Sequence, residues 1–455
     1  MRTKSVQKLL LLVVAAGLLY LGYRAVLGRT ASTASSRPNL IFISLDTLRA
    51  DRLGVYGYER PTSPFLDSWA SGAAVFEHAV STAPWTLPSH VTMLTGLYPS
   101  SHGVNKAKQR GIGTVMEYLP EILHKQGYQT FAFTGGGYVS ERYGFGRGFD
   151  AFVFNHGEDI SEARGFPYTI KMAQEKLAAM DRTKPYFLFL HTYAVHCPYD
   201  PPAPYGTMFS TPGAEPVEYT KCNKYYNLQD GFTAAKALYL SDRYDGSIRY
   251  LDTQIEKLFT DLRKEGFLDN TYIVITSDHG EEFFEHGRIG HKKSLHKELL
   301  LVPLIISGPG IKAQRVNESV SNADLFPTIL QLLGLPPSKQ PDGHSLFALM
   351  HGQQEEFSRP PYQYSELHHA GKLRSLFDPE VEHFILDLKT NIPLLYDSKN
   401  DPREANNIAN ARPDRILEWR SILDRLSKSL YERPTGSVDP ATKEQLEQLK
   451  TLGYL

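Results

Sequence analysis

The sequence predicts an α/β protein: a doubly wound sheet with helices on both faces, followed by a smaller C-terminal α+β subdomain. Three observations carry this expectation. From Arg37 to about Met350, short apolar runs alternate with helical patterns, as strand–crossover–strand units do. Two of those runs, Leu40–Leu45 and Tyr272–Ser277, are β-branched enough to read as strands buried on both faces. Beyond Ser358 the alternation gives way to short paired strands and terminal helices.

The two buried runs also locate the chemistry. The first ends in Asp46 and the second in Asp278-His279-Gly280-Glu281. Ligands of open α/β sheets sit beyond the carboxyl ends of the strands. Asp46, Asp278 and His279 are therefore expected to converge, and two carboxylates with an imidazole most simply hold a divalent cation. The alternative is that Asp46 caps a turn and Asp278-His279 merely opens a loop.

Taken in chain order, Arg2, Lys4 and Lys8 precede the apolar run Leu9–Tyr23, fifteen residues long, or nineteen when counted on to Leu27 with Arg24 snorkelling. Residues 1–28 are expected to be a signal anchor, with a cleaved signal peptide as the alternative. Residues 29–36, rich in Ser, Thr and Ala, read as a tether, residues 37–357 as the catalytic domain and 358–455 as the subdomain. Phe131–Phe133 and Tyr186–Leu190 read as further sheet strands. Val302–Ile306 reads as another, placed at an edge by Pro303. Ala235–Glu265 reads as a long amphipathic helix and Leu325–Leu333 as a helix closed by Gly334. His383–Leu386 and Pro393–Tyr396 are expected as short antiparallel strands, with Ile416–Tyr431 and Ala441–Lys450 as terminal helices.

Net charge is −1 over 455 residues, so no basic field for nucleic acid is present. The two cysteines, Cys197 and Cys222, form no CxxC. A zinc–cysteine site is excluded, and either one disulfide or two free thiols remains.

Between the two metal strands lies Ala83-Pro84-Trp85-Thr86-Leu87-Pro88-Ser89-His90. Pro88 fits the first turn of a helix. Thr86 then sits at or just before a helix N-terminus, where free N–H groups favour a developing negative charge. Taken alone the segment reads first as a threonine N-cap and second as a nucleophile.

The run Pro38-Asn39-Leu40 through Asp46, Pro61-Thr62-Ser63-Pro64, the Thr86–His90 box, Thr95-Gly96-Leu97-Tyr98-Pro99, His196-Cys197-Pro198-Tyr199, Ser277–Glu281 and Glu285-His286-Gly287 resembles, in content and order, a sulfatase of the alkaline-phosphatase-like superfamily. The resemblance covers nearly the whole body. It implies an alkaline-phosphatase/sulfatase-like doubly wound mixed sheet and a hydrolase of phosphate, phosphonate or sulfate esters. A transferase acting on lipid or glycan is the alternative, and a non-catalytic binder a third. Sulfatases carry C-x-P-x-R or S-x-P-x-R, whose first residue becomes formylglycine. This chain has Thr86 and His90 at those places, so no formylglycine is expected.

On this resemblance Thr86 is the expected nucleophile, and one divalent ion is held by Asp46, Thr86, Asp278 and His279, with Thr47 a weaker ligand. Mn²⁺ or Zn²⁺ suits that donor set ahead of Mg²⁺ or Ca²⁺. His196 and His291 are expected to contact the transferred group. Lys292 and Lys293 supply positive charge and His90 replaces the missing arginine. His102, His286 and His296 are expected to be structural. His196, His291 and Asp245 could serve a second metal, but their spacing does not single them out, and one metal is expected. The expected partners are a small ester, a glycan or a lipid headgroup, and the inner membrane through the N-terminal segment, with no nucleic acid. The expected setting is extracytoplasmic, at a bacterial inner membrane or periplasm.

Overall fold

The computed structural model describes residues 37–105, 111–154, 165–217, 232–339, 341–368, 372–430, 436 and 442–452. The expected signal segment and tether, and Cys222, lie outside the described residues. Among the described residues no helix is long and apolar enough to cross a membrane.

The catalytic body is an eight-stranded mixed sheet. Its order is Gln314–Val316, Ala74–Phe76, Leu304–Ser307, Thr271–Thr276, Asn39–Leu45, Tyr186–Thr192, Gln129–Thr134 and Ala151–Phe154. The five strands from Thr271–Thr276 to Ala151–Phe154 are mutually parallel. Leu304–Ser307 runs antiparallel to both of its neighbours.

The Asn39–Leu45 strand is central because its side chains can be buried on both faces. Leu40 and Phe42 join one apolar cluster while Ile41, Ile43 and Leu45 join the other. Phe42 meets Phe189 of the next strand edge to face, with ring centroids 5.5 Å apart. Such pairs add to the area they bury.

The chain leaves this strand toward Ala74–Phe76 on one side and later builds Gln129–Thr134 on the other. The order therefore reverses around Asn39–Leu45, the kind of switch point beyond whose carboxyl end ligands of such sheets sit.

The expected long helix spans Ala234–Lys264, and Leu325–Leu332 ends at Gly334 with φ +64°. One expectation is corrected. Val302–Ile306 is not a single edge strand. Leu301–Val302 pairs with Ala79–Val80 in a separate three-stranded sheet, whereas Leu304–Ser307 lies inside the main one. Pro303 has no N–H to give to a ladder, so it stands at the step between the two sheets. Its carbonyl still accepts from Thr276 Oγ1 at 2.8 Å.

The subdomain is a four-stranded antiparallel meander, Gln363–Leu367, Leu373–Phe377, Glu382–Asp387 and Pro393–Asp397. The helix Pro413–Ser429 covers it through Trp419 and Leu423, which pack with Leu376, Phe384 and Leu395. The helix Lys443–Thr451 returns to the catalytic body. There Gln448 accepts from Gly137 N at 2.9 Å and donates to Gly135 O at 2.6 Å.

Candidate active site

Three adjacent strands deliver the site. Asp46 follows the Asn39–Leu45 strand, and its N–H donates to Thr192 O at 3.1 Å. Thr47 then turns with φ +62°, uncommon for a residue with a Cβ. Its N–H donates to Asp278 Oδ1 at 3.2 Å, and Leu48 N–H donates to Ser277 Oγ at 3.0 Å. Tyr244, from the long helix, donates to Thr47 O at 2.7 Å and accepts from Arg49 N at 2.9 Å. These bonds hold the two strand ends face to face.

One ligand atom from each of Asp46, Asp278 and His279 lies within 4.8 Å of the others, and all three residues are fully buried. His279 Nδ1–H donates to Gly280 O at 2.8 Å, which leaves the lone pair on Nε2. Asp278 Oδ1 also accepts from His279 N at 2.9 Å. Among the described residues, Asp46 Oδ1, Asp278 Oδ2 and Thr47 Oγ1 are buried with no hydrogen-bond partner.

Buried carboxylate oxygens left unpaired are costly unless a cation takes them. The donor set, two carboxylates and a neutral imidazole, is that of a divalent ion. Asp46, Asp278, His279 and the Thr86 hydroxyl are thus the residues that fit one.

Thr86 opens the helix Thr86–Thr95, every residue of which is buried. Its Oγ1 lies 3.5 Å from His279 Nε2. His90, one turn on, faces Thr86 O with Nδ1 at 2.8 Å and Ser44 Oγ with Nε2 at 2.9 Å. A carbonyl can only accept, so Nδ1 carries the proton and Nε2 receives the Ser44 hydroxyl. His90 therefore fixes the helix start beneath Thr86, 3.5 Å from Asp278 Oδ2.

His291 Nδ1 and Glu281 Oε1 share a proton at 2.9 Å. The His291 ring sits 4.5 Å from that of His279 and 5.2 Å from that of His196. His196 Nδ1–H donates to Cys197 O at 2.7 Å. Cys197 is disulfide-bonded. The Lys292 ammonium lies over the rings of Trp85 and Tyr138, at 5.9 and 5.3 Å, where cation–π attraction holds it.

One expected residue, Lys293, falls elsewhere, and Asp245, which its spacing did not single out, is already paired. Lys293 is exposed and lines a separate groove with Arg288, Ile385 and Leu394, because the left-handed turn at Lys292, φ +76°, sends the next side chain away. Asp245 is neutralised by Arg52 at 3.2 Å and Arg60 at 2.7 Å and accepts from Tyr58 at 2.5 Å. It has no oxygen to spare for a metal.

One site residue was missed from sequence. His191, at the end of the Tyr186–Thr192 strand, places Nε2 3.3 Å from Asp46 Oδ2. Gly135 N–H occupies its Nδ1 at 3.3 Å, so Nε2–H donates to the carboxylate. Such outer partners orient metal ligands. His191→Ala is expected to weaken metal binding by about 10- to 100-fold, read by metal titration, with Thr86 untouched. An unchanged affinity would reduce His191 to packing.

Burial pushes Asp46 up to about 8 and Asp278 up to about 6, with repulsion between the two adding to the rise in Asp278. Burial also pushes His279 down to about 3 and Lys292 down to about 7. The imidazole is therefore already in its ligating form, while the carboxylates must shed protons to ligate. Between pH 6 and 8 the Asp46 proton is the one displaced. The apparent metal affinity should then tighten by about tenfold per pH unit over that range. Calorimetric titration at pH 6, 7 and 8 reads this directly, and a flat profile would contradict it.

A doubly wound mixed sheet with a cation-ready centre beyond its carboxyl edge, facing a buried hydroxyl at a helix N-terminus, defines an ester hydrolase of the alkaline-phosphatase-like class. A sequence profile described as Sulfatase matches residues 38–335, and one described as N-sulphoglucosamine sulphohydrolase, C-terminal, matches residues 284–433. The chain belongs to the sulfatase family, whose members generally use a divalent metal.

Arylsulfatase K of Gallus gallus is 25% identical over 95% of this chain and 90% of its own length. The Extracellular sulfatase SULF-1 homolog of Drosophila melanogaster is 27% identical over 70% of this chain, which spans only 32% of that protein. Among solved structures, the phosphonate monoester hydrolase of Agrobacterium radiobacter superposes with a TM-score of 0.74 at 21% identity, covering 89% of this chain and 100% of that one. A protein solved with its substrate D-glucosamine-2-N,6-O-disulfate superposes at 0.73 and 21% identity, covering 86% of this chain and 98% of that one.

Proposed function

We propose that this chain hydrolyses phosphate or phosphonate esters, ahead of sulfate esters, through a covalent intermediate on Thr86, outside the cytoplasm. The observation that carries the reading is the Thr86 hydroxyl, buried at a helix N-terminus 3.5 Å from His279 Nε2 and beside two unpaired carboxylate oxygens. A divalent cation at Asp46, Asp278 and His279 supplies positive charge that lowers the hydroxyl pKa and offsets charge on the transferred group.

As Thr86 Oγ1 attacks phosphorus in line, its proton passes to the Asp46 carboxylate it faces, a new P–O bond forms, and the bond to the leaving oxygen breaks. His291 and His196 stand in turn beyond His279, and Lys292 lies over Trp85, next to Thr86. Lys292, held near neutrality by burial, is suited to give the leaving alkoxide a proton. Water then attacks the phosphorylated Thr86 and frees the hydroxyl.

A formylglycine hydrate expels sulfate by elimination across its second hydroxyl. Threonine has none, so a sulfated Thr86 would require direct displacement of its alkoxide from sulfate. This supports phosphorus over sulfur. The arylsulfatase relatives favour the sulfate ester as the second reading. An extracytoplasmic setting rests on the basic-then-apolar N-terminus and on a relative named extracellular.

The test is parallel turnover of an aryl phosphodiester, phosphate monoester, phosphonate monoester and aryl sulfate by the full chain with Mn²⁺ or Zn²⁺. Turnover of the phosphorus esters alone supports the proposal. Faster sulfate turnover sinks the preference for phosphorus. No hydrolysis, with the label appearing on an added glycan or lipid alcohol, would make it a transferase.

A further inference from the structure

A second cluster of ligating side chains lies at the seam between the catalytic body and the subdomain. His286 comes from the loop between strands Glu282–Phe283 and Ile289–Gly290. His296 and Glu298 flank the start of the short helix Lys297–Leu300. Glu404 comes from the subdomain. One ligand atom from each of His286, His296 and Glu404 lies within 4.8 Å of the other two. The cluster shares no residue with the Asp46 centre.

Independent features point to a cation site. His286 Nε2 and Glu298 Oε2 face each other at 3.4 Å, and among the described residues neither buried atom makes a hydrogen bond. A separation of roughly 3.3 Å is that of two ligands on one tetrahedral zinc. The Glu298 side chain is 4% exposed.

The His286 and His296 rings stack with centroids 3.6 Å apart and planes 11° from parallel. Two imidazolium ions do not stack so closely, so at least one ring is neutral, and the rings tilt apart when both in-plane lone pairs meet one ion. Glu404 is aimed from behind, its Oε1 held by His383 Nδ1 at 2.5 Å and its Oε2 by His296 Nδ1 at 3.0 Å and Lys297 N at 3.3 Å.

We propose that His286, His296 and Glu404 bind a second divalent transition-metal ion, zinc by donor type, which fastens the subdomain to the loop carrying His286. Two imidazoles and a carboxylate suit zinc, and the Glu298 carboxylate stands beside them, 3.4 Å from His286 Nε2. The ion takes the place of the His296 proton now given to Glu404, so that proton is released on binding.

The experiment uses the untagged full chain and Zn²⁺ alone. In the Asp46→Ala/Asp278→Ala background, which removes the first centre, one zinc per chain is expected after dialysis, by mass spectrometry of the metal, with a rise in melting temperature on adding zinc. His286→Ala in that background should remove both. Because His286 is only half-buried, this variant is the least disruptive, and circular dichroism checks its fold. In otherwise wild-type protein His286→Ala should lower zinc content by one equivalent, an arm that holds even if the double variant does not fold. Absence of zinc from the double variant with native circular dichroism, or zinc content insensitive to His286→Ala and His296→Ala, would overturn the proposal and leave a hydrogen-bonded staple.

Discussion

Thr86→Ala is expected to reduce ester turnover by about 10⁴-fold or more while most of the metal, still held by Asp46, Asp278 and His279, is retained. The asymmetry follows from the geometry. Asp46, Asp278 and His279 hold their positions through Thr47 N–H, His279 N–H, Gly280 O and His191, none of which involves the Thr86 side chain. Losing a covalent nucleophile removes an interaction made only in the transition state, so kcat falls rather than KM rising. Thr86→Ser keeps the hydroxyl and should keep most of the rate. Quenched wild-type enzyme should yield a phosphorylated peptide containing Thr86. Near-normal turnover by Thr86→Ala, with the adduct absent, would mean that water attacks the ester directly.

Asp278→Asn should act in two opposite directions. The amide oxygen can still receive Thr47 N–H and His279 N–H, but the amide nitrogen then presents hydrogens where the unpaired Oδ2 stood. Metal affinity should fall by at least about 100-fold and turnover with it. Metal-free stability should rise instead. The Asp278 carboxyl is raised from 3.8 to about 6 in the folded protein by burial and by Asp46. A raised pKa contributes stability below the unfolded value, and that contribution is lost as pH rises through the folded one. At pH 8 the ionised carboxylate therefore costs roughly 3 kcal/mol, at about 1.4 kcal/mol per unit. Denaturant unfolding of metal-free protein at pH 8 should show the variant to be the more stable, with the gap closing toward pH 5. A variant equally or less stable throughout would show that the carboxylate is relieved by something other than a cation.

Much of this centre was legible in the sequence because buried parallel strands are short, apolar and β-branched, and their carboxyl ends are where chemistry collects. Asp46, Asp278 and His279 were found that way. Thr86 needed the resemblance, since a helix-starting threonine is ordinary. His191 escaped because it sits inside Tyr186–Thr192, where a single imidazole in an apolar run has no periodic signal. A histidine one residue before the end of a doubly buried strand was the available clue.

Lys293 was misplaced because sequence spacing does not show a left-handed turn at Lys292. Pro303 was misread because a proline that ends one sheet and begins another looks, in one dimension, like a proline at an edge. The cluster of His286, His296 and Glu404 was invisible for a different reason. Glu404 lies more than a hundred residues from its partners, in another part of the fold.

The pairing of Asn39–Leu45 has a consequence for how the protein is made. Its partners are Tyr186–Thr192 and Thr271–Thr276, so the strand that carries Asp46 is synthesised early and completed late. Until residue 276 has emerged, one long apolar edge has no neighbour to bond. Sheets closed by such distant segments form slowly and leave sticky edges open meanwhile. Yield of active enzyme should therefore be limited by the conditions of folding more than by the final stability of the fold.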